Sequence, residues 1–475
     1  MGNEEKRPNI LFIMSDQHRF CDTGYAGNKD VETPNLDQLS QDGACFTTAY
    51  SNCPLCVPAR GSLLTAQHAL RHGAAANDIP IHADATSIAH ILNDAGYETA
   101  YIGKWHLGGI PRDKYITEEN RLGFQYWNGC NCNHMYNQGY YDDNFNVRHK
   151  IEGYEPIAQT TLALDFLESR KNSQQPYALW LCVGTPHDPY FILPEGELEY
   201  FENKKLDLRE NVDIEHMKEK PFNEASILKC YAGYYGHIRQ LDLQIGRIIQ
   251  WLKDNRKYED TILVYTSDHG DMLGSHGFLN KQLWYDESAR VPLLISWPKK
   301  IPPGKRMQPI SLVDIAPTLL GIIGLTFNNK VDGKDLSDVV FHEAAQGQDY
   351  VYYYSYVPCH QASNREVRSW RAVTDGKYMY AEEENQNSIC MYNMGNDKFQ
   401  IKDIKDDASY ADVKKRLKEA LDVEVNKNDG YSPWETLLEK SSLMEAWNES
   451  EAYFSLLFKQ YYELIKKVNC NIQKI

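Results

Sequence analysis

The stretch NILFIMSDQ, Asn9–Gln17, runs apolar without alternation and then stops on a carboxylic acid and an amide. A strand with one wet face would alternate polar and apolar residues. Asn9–Ser15 does not, so it reads as a strand buried on both faces, as in a parallel sheet covered by helices. Thr33-Pro34 then offers a helix start, with threonine as the cap and proline in the first turn. The same apolar texture recurs at Thr99–Ile102, Ala178–Val183, Ile262–Thr266 and Pro292–Ser296, with helical patterns at Thr86–Ala95, Thr160–Arg170 and Ser226–Lys253. Strands alternating with helices predict an α/β fold, a large mixed, mostly parallel sheet sandwiched by helices.

Near residue 345 the texture changes. DYVYYYSYV (349–357) and WRAVTDGKYMYAEE (370–383) are Tyr-rich and strand-like, and a helical stretch follows at Tyr410–Leu421. This predicts a smaller C-terminal α+β subdomain, an antiparallel sheet plus a helix. The turn NKNDGYSP (426–433) leads into a helical tail, Trp434–Lys467, whose open face would suit a second copy of the chain. The expected division is a catalytic domain over 1–345, a subdomain over 346–430 and a helical extension over 431–475. Two domains also suit 475 residues, more than one hydrophobic core usually supports.

A hydrophobic content of 42% and a charged content of 24% exclude a disordered chain. No run of about 18 apolar residues is present to span a membrane. The opening MGNEEKRPNILF has no apolar signal region and carries Lys6 where a myristoylation pattern needs Ser or Thr. A cytoplasmic location is expected for the chain as it stands, and a periplasmic one if a leader has been removed. The net charge of −16 repels nucleic acid and anionic membranes, so an anionic substrate must be met by a local group of cations. Eleven irregularly spaced cysteines fit a reducing compartment better than a disulfide framework.

Four polar groups sit just past the carboxyl end of an expected strand: Asp16-Gln17, Lys104-Trp105-His106, His187-Asp188 and Asp268-His269. Ligands bind at that edge of open α/β sheets, so the four are expected to converge. Asp16, Gln17, Asp268 and His269 offer mostly hard oxygen ligands, which favour Ca²⁺ or Mg²⁺, with Mn²⁺ admitted by the imidazole. Singly, SDQ or SDHGD is more simply a helix cap or a buried salt bridge; at neighbouring strand ends the pair outweighs that reading. Arg60, Lys104 and Lys281 are candidate cations for an anionic group, and His106, His187 and His276 candidate proton carriers.

The stretch SNCPLCVPARGSLLTAQ (51–67) contains a Cys-x-x-Cys, Cys53 and Cys56. No thioredoxin-sized unit surrounds it, and Cys130-Asn131-Cys132 is a poor second half for a zinc site. The stretch instead resembles the sulfatase signature Cys-x-Pro-x-Arg, met by Cys56, Pro58 and Arg60 and not by Cys53. PNILFIMSDQHR, TPNLDQLSQDGACFTTAYS, LLTAQHALRHG, GYETAYIGKWHLG, TPHDPY, YTSDHGDMLGSHGFLNK and VPLLISWP resemble further blocks of that family, in order over 8–320, and RSWRAVTDGKYMY resembles its small subdomain.

The resemblance implies that a formylglycine-generating or anaerobic sulfatase-maturing enzyme oxidises Cys56 to formylglycine, whose hydrate is the nucleophile. It implies a metal held by Asp16, Gln17, Asp268, His269 and residue 56, most simply Ca²⁺. Arg60 would steady the hydrate, Lys104 and Lys281 would grip sulfate oxygens, and His187 would protonate the departing sugar oxygen. His106 would deprotonate the second hydroxyl of the sulfated hydrate. There are departures. Ala59 stands where Ser is commoner and Ala66 where Gly is. Gln17 and His269 replace the Asp and Asn of many arylsulfatases, a pairing that also resembles phosphonate monoester hydrolases. A phosphodiesterase on the same scaffold and an unmodified, inactive sulfate-binding protein are therefore alternatives to a carbohydrate sulfatase. The DHG…LGSHG…NK block resembles glycan sulfatases, and the expected substrate is a small sulfated carbohydrate attacked from its end, 6-O-sulfated N-acetylglucosamine first. The loop Phe124–Phe145, with His134, could stack on one sugar or be a structural loop, and His276, His360, Arg365 and Arg368 could close the pocket.

Overall fold

Asn9–Asp16 forms β1, and every residue in it is buried. In the computed structural model, which describes residues 7–217, 223–359, 362 and 365–472, Ile10, Phe12 and Met14 join one hydrophobic layer and Leu11 and Ile13 the other. That two-sided burial is why the sequence here lacks alternation. The following strands are β2 (Ala44–Phe46), β3 (Ala49–Tyr50), β4 (Glu98–Lys104), β5 (Tyr126–Cys130), β6 (Tyr140–Asp142), β7 (Arg148–Lys150), β8 (Tyr177–Pro186), β9 (Thr261–Ser267), β10 (Leu293–Ser296), β11 (Gly304–Arg306) and β12 (Ile310–Ser311). Ten of them form one sheet in the order β11-β2-β10-β9-β1-β8-β4-β5-β6-β7, and β3 pairs with β12 apart from it. The central β9, β1, β8, β4 and β5 are mutually parallel, with Ile10 level with Ala178 on β8 and Ile262 on β9. The edges turn antiparallel at β10 and at β6.

Helices Cys56–Thr65, Ile88–Asp94 and Leu312–Ile322 cover one face, through Leu63, Ile91 and Leu319 among others. Pro34–Asp42, Glu155–Arg170 and Glu224–Asp254 cover the other, through Leu39, Phe166 and Ile248. The helix expected from Thr160 begins at Glu155, with Pro156 in the first turn where its missing N–H costs nothing.

The later strands β13 (Val351–Ser355), β14 (Trp370–Thr374), β15 (Tyr378–Glu383) and β16 (Ser388–Asn393) form a separate antiparallel sheet in that order. Tyr352 and Tyr354 share a core with Leu417, Leu421 and Val425 of helix Ala411–Asn428, while Tyr353 faces Tyr50 and Ala289 of the larger unit. The tyrosine run thus serves as packing on both faces. The C-terminal tail differs from its expected form: Trp434–Lys440 ends at a turn in which Ser442 takes φ 58°, and a second helix runs Met444–Ile472. No helix among the described residues is long and apolar enough to cross a membrane.

Glu155 carries a testable consequence of burial. It is 1% exposed and accepts hydrogen bonds from Asn133 Nδ2 at 2.9 Å and Gln159 Nε2 at 2.7 Å. Burial pushes its carboxyl up to about 7, against those two bonds. A folded state that holds this proton more tightly than the unfolded one loses stability as pH rises from the unfolded carboxyl range through 7. Glu155→Gln removes that loss; Gln159 can turn its partnerless Oε1 to the new amide. The variant should therefore gain on wild type between pH 5 and pH 8, by up to about 3 kcal/mol. Equal pH dependence of chemical denaturation in the two proteins would contradict this.

Candidate active site

The strands β9, β1, β8 and β4 are consecutive neighbours, so their carboxyl ends lie side by side at strand spacings of about 4.8 Å. Asp268, Asp16, His187 and Lys104 stand at or just past those ends. The chain turns sharply there: Gln17 has φ 73° and His106 φ 59°, left-handed conformations that side chains enter only when the surroundings impose them. Gly103, at φ 104°, lets β4 approach β8, since a Cβ there would meet the Cys182 carbonyl at 2.1 Å. Cys56 opens its helix, and Arg60 follows one turn later.

These residues meet. One ligand atom from each of Asp16, Cys56, Asp268 and His269 lies within 4.8 Å of every other. Cys56 Sγ is 3.1 Å from His269 Nε2. His269 Nδ1 faces the Gly270 carbonyl at 2.9 Å, which leaves Nε2 for the cluster. The second carboxylate oxygens are taken by cations: Arg60 Nη2 reaches Asp16 Oδ2 and Arg60 Nε reaches Asp268 Oδ2, each at 3.0 Å, and Lys104 Nζ lies 2.6 Å from Asp16 Oδ2. Two carboxylates and an imidazole converging away from their cationic partners form a donor set that fits a divalent metal.

Beside the cluster lie two lysine–histidine contacts. Lys281 Nζ donates to His187 Nε2 at 2.7 Å and to Gln17 Oε1 at 2.5 Å, and Lys104 Nζ approaches His134 Nε2 at 2.9 Å. The two imidazoles stack, with centroids 4.3 Å apart and planes 7° from parallel. Burial, aided by Lys104 and His187, pushes His134 down to about 3 against the pull of Cys132, so it is a neutral acceptor. Burial opposes charge on Asp16, as does Cys56, yet Lys104, His187 and Arg60 hold its carboxyl well below the usual range. The Cys56 thiol is likewise opposed by burial and still drawn well below the cysteine range, by Lys281, His269 and Lys104.

His106 stands with Asp78, whose Oδ1 is 3.6 Å from its Nε2, and Asp78 is forked by Arg112 at 2.8 Å on both oxygens. Burial disfavours charge on His106, but Cys132 and Asp78 reverse this and raise it to about 10. The sequence reading overlooked Asp78, Arg112, and Asn77, whose side-chain oxygen takes the Val57 N–H beside Cys56. The only local hint was an Asn-Asp pair in an otherwise small-residue stretch. The aromatic loop resolves toward packing: Phe124, Trp127 and Tyr136 are buried, and His134 is the member that reaches the lysines. Tyr136 is occupied with the Gly184 and His187 carbonyls. His276 is engaged elsewhere, stacked on Tyr285 at 3.9 Å and bonded to Asn211. Arg365 is buried, Arg368 is an exposed residue 4.0 Å from Glu383, and His360 lies outside the described residues. Cys53 is buried, and burial with Cys359 nearby pushes its thiol well up.

A family model described as Sulfatase matches residues 8–325, and one described as N-sulphoglucosamine sulphohydrolase, C-terminal, matches 274–427. An ulvan-active sulfatase of Formosa agariphila is 36% identical over 344 residues, 71% of this chain and 66% of that protein. An N-acetylglucosamine-6-O-sulfatase of Bacteroides thetaiotaomicron is 28% identical, over 88% of this chain and 86% of its own. Among solved structures, a Bacteroides fragilis protein described as a candidate sulfatase superposes with a TM-score of 0.80 at 26% identity, covering 91% of this chain and 99% of that one.

Proposed function

The chain belongs to the sulfatase family of sulfuric ester hydrolases, and from that premise we propose that it cleaves small sulfated sugars from their ends, with 6-O-sulfated N-acetylglucosamine the preferred substrate. The observation that carries the reading is the meeting of Cys56 with Asp16, Asp268 and His269 beside Lys104 and Lys281. Three things support the sugar: the N-acetylglucosamine-6-O-sulfatase relative, the near-complete burial of the cationic site, and a net charge of −16 that offers no broad basic groove for a polysulfated chain.

In this proposal Cys56 Sγ stands where the oxygens of a formylglycine hydrate would lie, and that group supplies the nucleophile for the sulfuryl transfer. Asp16, Gln17, Asp268 and His269 would hold a divalent cation, most simply Ca²⁺, which when bound draws charge from the sulfate oxygens. Lys104 and Lys281 bind and orient the sulfate. His187, in contact with Lys281 at 2.7 Å, would protonate the departing sugar oxygen. His106 is assigned the proton acceptor's role, which it fills only after releasing the proton that Cys132 and Asp78 hold on it. Arg60 bridges Asp16 and Asp268, helping to draw the Asp16 carboxyl down, while burial and Asp16 still hold that of Asp268 up.

The test uses protein co-expressed with a formylglycine-generating or anaerobic sulfatase-maturing enzyme. It is assayed on monosaccharide sulfates, intact heparin and chondroitin sulfate, and phosphonate monoesters and phosphate diesters. The highest kcat/KM is expected on the 6-O-sulfated amino sugar. Chelation should abolish turnover and Ca²⁺ should restore it. A preference for phosphonate monoesters would replace the reaction, internal desulfation of the polymers would remove end-on attack, and 2-O or 4-O selectivity would discard the sugar position. Stoichiometric zinc in active protein would overturn the metal.

A further inference from the structure

Asp271 lies two residues beyond His269, fully buried, and has no part in the reaction described above. Its Oδ2 accepts from Gln17 Nε2 at 2.7 Å and from the Tyr190 hydroxyl, and its Oδ1 accepts from the Leu273 N–H at 2.9 Å. At the opposite end of the same amide, Gln17 Oε1 accepts from Lys281 Nζ, which also donates to His187 Nε2. An amide is nearly symmetric in shape and opposite in hydrogen-bonding sense at its two ends. Nothing steric decides which end meets Lys281. The decision lies with the hydrogen-bonding partners: the Asp271 oxygens are engaged as acceptors, by the Tyr190 hydroxyl and the Leu273 N–H, and Lys281 Nζ is a donor.

We propose that Asp271 is a positioning residue: it fixes the Gln17 amide with its oxygen toward Lys281, and so holds the Lys281 ammonium in place against His187. The proposal rests on the reading of Gln17 and Lys281 as parts of a sulfatase site. It also accounts for an amide at position 17. A carboxylate there would confront Asp271 in a buried setting, where two like charges cannot both ionise cheaply. Gln17 and Asp271 are then a matched pair, and exchanging one alone should fail where exchanging both succeeds.

Asp271→Asn keeps the shape. Because Oδ1 must still take the Leu273 N–H, its new amino group faces Gln17. Gln17 must turn to receive it, which puts an amino group against Lys281 and drives the ammonium away. Gln17→Glu alone sets a carboxylate against Asp271. In the double variant, the carboxylate at position 17 accepts both from the amide at position 271 and from Lys281, and the original pattern returns with its donor and acceptor exchanged. Each single variant should lose roughly 10–100-fold in kcat/KM, the usual scale for a partner that orients a site residue. Each should also lose most of the thermal shift that inorganic sulfate and Ca²⁺ give to wild type, and the double variant should recover both readouts. Non-additivity of this sign is what a direct interaction predicts. Asp271→Asn within twofold of wild type, or a double variant no better than the worse single, would overturn the proposal. The thermal shifts keep the two readings separable. If wild type turns over no sulfate ester, the enzymatic reading falls, while the sulfate and Ca²⁺ shifts across the four proteins still decide the Asp271 pairing.

Discussion

Cys56→Ala is expected to abolish sulfate release, and Cys53→Ala to retain most of it. Only two residues separate these thiols, yet their surroundings are opposite. Cys56 is the first residue of its helix, with Sγ 3.1 Å from His269 Nε2 and 3.8 Å from Asp16 Oδ1. Cys53 lies in the turn before it, packed in the core shared with Tyr354 and Cys359. Removing the nucleophile from a preorganised site costs on the order of 10⁴-fold or more in kcat, because nothing nearby can replace it. Losing the Cys53 sulfur costs only a small cavity, about 1–2 kcal/mol by the usual scale for a minor truncation. Mass analysis of the tryptic peptide bearing residue 56 supplies the second arm. An aldehyde there in active protein is expected; an intact Cys56 thiol in a protein that still binds sulfate would favour the inactive, sulfate-binding alternative. Full activity in Cys56→Ala, with loss in Cys53→Ala, would sink the assignment of the nucleophile.

The parts of this site that could be read from sequence are those fixed by local pattern. Asp16 and Asp268 follow apolar runs that only a doubly covered strand explains, and strand order then makes them neighbours. The Cys-x-Pro-x-Arg spacing puts Cys56 and Arg60 one helical turn apart, on one side of the helix. What escaped reading depends on long-range pairing. Asp78 is 28 residues from His106 and 34 from Arg112, as the sequence numbers them, and nothing in Asn77-Asp78-Ile79 announces a partner. Asp271 was visible in SDHGD but carried no meaning until Gln17 was seen to face it. Composition could not choose, in the loop Phe124–Phe145, between a sugar platform and a structural loop. Phe124 and Trp127 pack with Tyr101, Trp105 and Trp180, because β5 lies inside the sheet and its side chains have core on one face. The helical tail was read as continuous for a similar reason. Its apolar spacing persists through Ser441–Leu443, and only the left-handed turn at Ser442 breaks it.

Arg60→Met should be the most damaging substitution at the site outside residue 56, in stability as well as in rate. The guanidinium is 1% exposed and spends all its directions on the strand ends: Nη2 on Asp16, Nε on Asp268 and Nη1 on the Lys104 carbonyl at 2.9 Å. Methionine fills the volume and satisfies none of these. Asp16 keeps Lys104, but Asp268 is left as a buried carboxylate beside another, with no cation on its Oδ2. Removing one partner of a buried ion pair costs about 3–5 kcal/mol, chiefly through the charge left behind. An exposed pair such as Arg368–Glu383, 4.0 Å apart with the arginine 67% exposed, sets the contrast. Arg368→Ala should cost no more than about 1 kcal/mol. Arg60→Lys should fall nearer to Met than to wild type, since an ammonium cannot fork to two carboxylates and a carbonyl from one position. Ca²⁺ supplies the discriminating measurement. If the damage arises from uncompensated carboxylates, saturating Ca²⁺ should restore more stability to Arg60→Met than it adds to wild type, as a cation bound only by the folded state does. Wild-type denaturation by Arg60→Met without Ca²⁺, or an equal Ca²⁺ increment in both proteins, would show that Asp16 and Asp268 do not depend on Arg60 for their charge.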